Sequence, residues 1–199
     1  IMGNAGLALM RIHAESPLRT NIERIETSDK RAADLTTQML AYSGKGTFVV
    51  RPLDISKIAE EIATLLQASV TKNAVLRFDF AEGLPEVLGD PGQIQQVIMN
   101  LITNASDALE DKHGVISVRT NLIDADASFL AKTYFHDELE EGRYVFVEVS
   151  DTGYGMDEET RGRIFDPFFT TKFAGRGLGL AATLGIVLSH KGTIKVYSE

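Results

Sequence analysis

The segment from Asp90 to Leu109 limits what this chain can fold into more than any other. Asp90-Pro91-Gly92-Gln93 is a helix start: an acid at the cap, proline in the first turn and Gln three residues after the cap. Ile94, Val97, Ile98, Leu101, Ile102, Ala105, Ala108 and Leu109 then form one continuous apolar face. A helix with so wide an apolar face must lie against another layer. Gln96, Asn100, Asn104, Asp107 and Asp111 form a second, polar stripe at the same steps of three and four. Asn is a poor helix former, so two on one line invite a functional explanation. An Asn amide oxygen is a hard, neutral ligand for Mg²⁺, and it suffices where triphosphate oxygens supply the negative charge. A solvated face explains the stripe more simply when the stripe is taken alone.

The chain has 199 residues, 44% of them apolar, which suits one domain of ordinary size with a small accessory element. Its net charge of -8 argues against a nucleic-acid binder, since phosphate backbones select surplus Lys and Arg. ATP stays open, because its phosphates need only a local electropositive spot. With no cysteine, disulfides, thiolate zinc sites and cysteine nucleophiles are excluded. No apolar run approaches the roughly 20 residues of a membrane helix, and no signal peptide is visible. Ile1 opens in mid-helix pattern and Glu199 closes inside a strand pattern, so an internal fragment is expected.

Two regions separate. In residues 1–43, Met2 to Ala14 is helix-compatible and Glu15-Ser16-Pro17 breaks it. From Thr20 to Tyr42, Ile25, Ser28, Ala32, Leu35, Met39 and Tyr42 make a heptad seam, extended by Ile22. A helical hairpin is expected; its seam pairs with a partner or folds back on its own domain, and the pattern favours neither. Ser43 to Gly46 is a flexible joint. Residues 47–199 read as mixed α/β. Expected are strands at Thr47 to Arg51, Leu76 to Phe80 with one buried face, Val115 to Ile123 and Tyr144 to Ser150. A helix capped by Asp54 carries the stripe Ile55, Ile58, Ile62, Leu65 and Leu66. Asp124 to Gly142 reads as an irregular insertion with one helical turn. Gly177 to His190 reads as a helix and Ile194 to Tyr197 as a last strand.

Three further stretches carry chemistry. A strand runs straight into Asp151-Thr152-Gly153-Tyr154-Gly155. A strand-end carboxylate there can accept from an exocyclic amino group, which adenine has and guanine lacks on that edge, and the glycines let backbone approach a flat base. Gly175-Arg176-Gly177-Leu178-Gly179-Leu180 opens the last helix and presents backbone N–H groups to phosphate. It has neither the Gly-Lys-Ser/Thr of a P-loop nor the Rossmann glycine spacing. Between them, Phe165-Asp166-Pro167-Phe168-Phe169-Thr170-Thr171-Lys172 reads as a flap pinned by aromatics, with Lys172 able to reach a terminal phosphate. Each stretch alone has a plain explanation: a turn, a helix cap, core phenylalanines and a solvated lysine.

Together and in this order, the stretches resemble the GHKL superfamily of gyrase-type, chaperone, histidine kinase and mismatch-repair ATPases. Asn100-Leu-Ile-Thr-Asn104-Ala-Ser-Asp107-Ala looks like its N box and Asp151-Thr-Gly-Tyr-Gly like its G1 box. Phe165-Asp-Pro-Phe-Phe looks like the F box and Gly175-Arg-Gly-Leu-Gly-Leu like the G2 box. The F-box wording and the hairpin resemble sensor histidine kinases, more narrowly PAS-linked or hybrid ones. The resemblance implies a Bergerat-type α+β two-layer sandwich, a mixed sheet against helices, preceded by a partial helical hairpin. It implies ATP and Mg²⁺ as cofactors and a lid over about Asp157 to Arg176. The implied site comprises Asn100, Asn104, Asp107, Asp151, Gly153, Gly155, Lys172, Gly175, Gly177, Leu178 and Gly179, with Asn104 on the metal aided by Asn100. Implied partners are a second copy through the hairpin, weakened by truncation, and a response-regulator receiver domain, in a cytoplasmic setting without nucleic acid or membrane contact.

Hydrolytic members of the superfamily place a Glu base four residues before the metal-binding Asn. This chain has Asn100 there, and an amide cannot take a proton from water. Transfer to a histidine is therefore favoured, and that histidine is expected upstream of Ile1. His13 lacks a following acid, His136-Asp137 sits in the insertion, and His113 and His190 lie at element ends. Arg176 replaces a small residue of many relatives, and Asp107 a lysine of some. The rival expectations are a gyrase- or chaperone-like ATP hydrolase, an anti-sigma-type serine kinase and a non-catalytic nucleotide-binding or dimerisation module.

Overall fold

The computed structural model describes residues 2–13, 16–29, 49–66, 74–110, 112–135, 139–172 and 177–199. The chain divides into two units, 1–40 and 41–199. In the first, α1 spans Met2–Arg11 and α2 covers 18–29. Between them the Ser16 hydroxyl accepts from the Leu18 N–H (3.3 Å), an ST-type turn at Pro17. An Arg19 N–H donates to the Leu9 carbonyl at 3.4 Å. Ile25 is exposed. The rest of the predicted seam, Ala32 to Tyr42, lies outside the described residues, as does the joint at Ser43 to Gly46.

The second unit contains β1 (Arg51–Leu53), α3 (Ile55–Leu66), β2 (Ala74–Phe80), β3 (Val87–Gly89), α4 (Pro91–Ala108) and β4 (Gly114–Ala125). It continues with α5 (Ala127–Leu130), β5 (Gly142–Asp151), α6 (Glu158–Arg163) and α7 (Gly179–Ser189). The main sheet has the order β2-β4-β5; β2 and β4 are parallel, β4 and β5 antiparallel, so the sheet is mixed. β1 and β3 form a separate antiparallel pair. Ile58, Ala59 and Ile62 of α3 meet Ile98 and Ile102 of α4 and Val118 of β4 in the main core. A second cluster joins Ala105 and Leu109 to Ile116. One sheet face is thus covered by helices. On the other, Arg119 pairs with Asp79 (3.4 Å) and reaches Glu148 (4.0 Å) across strands, and this face is exposed.

The expected start of α4 is present. The Gln93 N–H donates to Asp90 Oδ1 at 3.0 Å. The Gln93 side chain does not close a reciprocal box, for its Oε1 is buried without a partner. Asp90 Oδ2 accepts instead from the Val49 N–H at 2.9 Å, tying the β1 approach to α4. Burial pushes the Asp90 carboxyl up, but donors from Val49, Gln93 and Gly92 outweigh it and hold it below its ordinary value. A carboxyl depressed in the folded state contributes stability above its unfolded value, lost as pH falls through the folded one. Wild type is therefore expected to lose stability more steeply than Asp90→Asn below about pH 4. At neutral pH, Asp90→Ala should cost about 0.5–2 kcal/mol. Urea melts across pH check both.

Several boundaries differ from the expectation. Of the strand expected over Thr47 to Arg51, Thr47 and Phe48 lie outside the described residues and Val49 and Val50 are not in a strand; β1 is Arg51–Leu53, and its Leu53 enters the core. Phe78 is exposed on edge strand β2, stacked on Phe80 at 5.6 Å. Asp124 belongs to β4, since backbone pairing with Arg143 continues two residues past the apolar alternation. Ile194 to Tyr197 forms no strand here: Ile194 makes one bridge, to Tyr134 of the insertion. Among the described residues no helix is long and apolar enough to cross a membrane.

Candidate functional site

Three successive turns of α4 each hold a different segment of the chain. On the first, the Asn100 amide nitrogen donates to the Gly179 carbonyl (3.1 Å) and the Thr183 hydroxyl (3.3 Å). That fixes the mouth of α7. Gly179 and Thr183 are one helical turn apart and so share a face. Leu178 is the N-cap of α7 and makes no side-chain cap hydrogen bond, and the first backbone N–H groups of any α-helix have no partner within the helix. On the second turn, the Lys172 ammonium donates to Asp107 Oδ2 at 3.0 Å and to Asn104 Oδ1 at 3.4 Å. On the third, the Tyr154 N–H donates to the Ala108 carbonyl at 3.3 Å.

Asp151 ends β5, exposed, and its Oδ1 accepts from the Gly153 N–H at 2.8 Å. That bond folds the loop back at the strand end. A Cβ on Gly153 would lie 2.6 Å from the Ala108 carbonyl oxygen, so only glycine lets this backbone lie against α4. The Met156 N–H, just after Gly155, donates to the Ser198 hydroxyl at 2.7 Å. Thr152 anchors the strand end: its hydroxyl accepts from the Val115 N–H at 3.0 Å.

Gly177 has φ +64°, and a Cβ there would lie 2.4 Å from the backbone carbon of Phe168. The Phe168 N–H donates to the Gly177 carbonyl at 2.8 Å. The aromatic stretch and the glycine stretch are thus joined backbone to backbone. Phe165 packs edge-on against Tyr134 at 4.8 Å, and Arg163 lies over the Phe169 ring at 4.4 Å. The Tyr134 hydroxyl donates to the Arg161 carbonyl at 2.9 Å, so the insertion braces the lid base.

The structure therefore brings Asn100, Asn104, Asp107, Lys172, Gly177, Leu178 and Gly179 to one side of α4, with Asp151, Gly153 and Gly155 at its end. Gly175 and Arg176 lie outside the described residues, as does His136. The Asn100 amide nitrogen is committed to α7, so this residue holds the start of that helix against α4; a metal would use the amide oxygen, which these two bonds do not engage. Sequence reasoning missed Thr183 and Tyr134. Thr183 had a signal, four residues after Gly179; Tyr134, in a polar insertion, had none. His190, by contrast, is structural: Nε2 accepts from the Asp90 N–H at 3.0 Å and Nδ1 meets the Ile186 carbonyl at 2.8 Å.

Three motif segments thus meet the fourth, which α4 itself carries. Residues 89–199 match the family described as histidine kinase-, DNA gyrase B-, and HSP90-like ATPase. The chain belongs to this family. Among curated relatives it is 38% identical to the sensor kinase CckA of Brucella abortus (strain 2308), over all of this chain and 21% of that protein. It thus spans about a fifth of that relative. Among solved structures, full-length ShkA in complex with AMPPNP superposes with a TM-score of 0.71 at 23% identity, covering 95% of this chain and 37% of that one. ThkA in complex with the response regulator TrrA superposes with a TM-score of 0.59 at 22% identity, covering 96% and 50%. These likenesses show the fold of the ATPase family: helices on one face of a mixed sheet.

Proposed function

We propose that this chain is the ATP-binding catalytic part of a sensor histidine kinase, passing the ATP γ-phosphoryl group to a histidine outside it and thence to a response regulator. The observation that carries the reading is the meeting of Asn104, Lys172, Gly179 and Gly153 along α4. Asp151 and the Gly153 to Gly155 backbone take the adenine edge. The N–H groups at the start of α7, the Gly175 to Gly179 backbone and Lys172 take the phosphates. Asn104 is the metal ligand. Fit is supported by the Lys172 ammonium resting on the oxygens of Asn104 and Asp107, a cation already attracted to that donor pair. When bound, Mg²⁺ neutralises phosphate charge during transfer.

The chain's own part is positioning. Asn100 holds the start of α7 against α4 and, as an amide, offers no base for water, which opposes a hydrolase. Phe165 and Tyr134 brace the lid, and the Phe168–Gly177 bond couples it to the glycine stretch. The receiver partner is supported by ThkA's capture with TrrA, and ATP by ShkA's with AMPPNP. Exposed Ile25 on a heptad seam supports a homodimer through the hairpin. A cytoplasmic setting agrees with this chemistry.

Calorimetric titration tests the reading. ATP with Mg²⁺ should bind, and GTP, lacking the amino group at the Asp151 edge, should not compete. Asp151→Asn should weaken ATP by about 10- to 100-fold, the value of a hydrogen bond to a charged group. Equal binding of ATP and GTP, or an unchanged variant, contradicts it.

A further inference from the structure

Lys172 stands where a metal would be sought. Its ammonium donates to Asp107 Oδ2 at 3.0 Å and to Asn104 Oδ1 at 3.4 Å, bridging a residue of the lid to the polar stripe of α4. The lysine side chain is 30% exposed and the aspartate side chain 50%, so neither is locked in place by burial. Asn104 and Asp107 are three apart on α4 and share a face. Their two oxygens are the hard donors a divalent cation would use in this part of the site. A lysine nitrogen and a metal ion cannot occupy the same pair of oxygens. Among the described residues no cluster of three acidic or histidine side chains offers the metal another place.

We propose that Lys172 and Asp107 form a cation latch: in the nucleotide-free protein the Lys172 ammonium holds the metal position, and divalent cation and lysine compete for it. This rests on the reading of Asn104 as the metal ligand. The consequence is an order of events. Metal alone meets a site already neutralised by the lysine. Triphosphate oxygens give that lysine a stronger acceptor than one half-exposed carboxylate, because several negative charges act on it together. Lys172 would then turn to phosphate, leaving the Asn104 and Asp107 oxygens free to hold a metal. Asp107 is in this account a positioning residue: it parks Lys172 beside the site.

The test uses Mn²⁺ alone, counted by the electron paramagnetic resonance signal of the free ion, on the whole 199-residue chain without nucleotide. Wild type should bind Mn²⁺ weakly. Lys172→Gln should bind it about two- to fivefold more tightly, the range of a partly exposed ion pair. Asp107→Asn should bind it less tightly than wild type, and in that background Lys172→Gln should bring little or no gain. Both side chains are partly exposed, so the variants should fold as wild type does, and circular dichroism checks it. Mn²⁺ affinity unchanged or undetectable in Lys172→Gln overturns the latch, as does the same gain with and without Asp107. ATP titration of the same samples separates the two readings. Loss of ATP binding by wild type would refute the nucleotide site, whereas an unmoved Mn²⁺ affinity refutes the latch even where ATP binds.

Discussion

Gly177→Ala is expected to weaken ATP binding by about 5- to 150-fold while leaving the sheet and its helices folded. Two effects add. Gly177 adopts φ +64°, where a Cβ is strained, and that Cβ would lie 2.4 Å from the Phe168 backbone carbon and 2.4 Å from the Phe169 carbonyl oxygen. All three of its nearest neighbours are backbone atoms, so no side chain can swing aside. Holding a non-glycine residue in such a conformation costs on the order of 1–3 kcal/mol, which as lost affinity is the range given. The chain can relieve the clash by breaking the Phe168 to Gly177 hydrogen bond of 2.8 Å, but this uncouples the lid from the start of α7. Either way Gly177 loses the conformation on which the proposed phosphate contact depends. Calorimetry with ATP and Mg²⁺ reads the loss, and a thermal melt shows whether the fold survives. Wild-type affinity in this variant would mean that the Phe168–Gly177 junction plays no part in binding.

Ile98→Ala should lower the unfolding free energy by about 2–5 kcal/mol, the range for deleting a large buried aliphatic side chain. Ile98 is 0% exposed and belongs to the cluster joining α3, α4 and β4. It lies on the turn just before Asn100, on the face turned away from the polar stripe. The cavity would therefore open beneath the helix that carries the site. A domain of this size is stable by only about 5–15 kcal/mol, so a substantial part would be lost. Denaturant titration should show a lower midpoint with an unchanged slope. A change within about 0.5 kcal/mol, typical of surface sites, would contradict the placement of the core.

The two-faced character of α4 was legible in the sequence because it is local: a cap acid, a proline and two stripes are all set by a period of 3.6 residues. Asp90 caps, Ile98 and Ile102 are buried, and Asn100 and Asn104 share the other side, as their spacing required. The four motifs were legible as a set through their order along the chain. Tertiary partnership was not. That Asn100 would spend its amide on Gly179 and Thr183 depends on where α7 lies, 79 residues away in sequence for Gly179. That Gly177 must be glycine comes from Phe168, through a contact no periodicity encodes. In the stretch expected as an irregular insertion, Asp124 to Gly142, the part of Tyr134 was not legible because it acts through single contacts to Arg161 and Phe165 that no periodicity encodes. Phe78 misled because alternation reports a strand's two faces and not whether the strand is at an edge. The 194–197 segment misled because β-propensity names a tendency, whereas pairing needs a neighbour.

Hydrogen exchange of the chain with and without ATP and Mg²⁺ tests the central claim most directly. Nucleotide should slow exchange together in four separate stretches: 100–108, 151–156, 168–172 and 177–181. The outer sheet face around Arg77, Arg119 and Glu148 should stay unchanged. Protection confined to that outer face, or to one of the four stretches without the others, would show that they do not surround a single nucleotide.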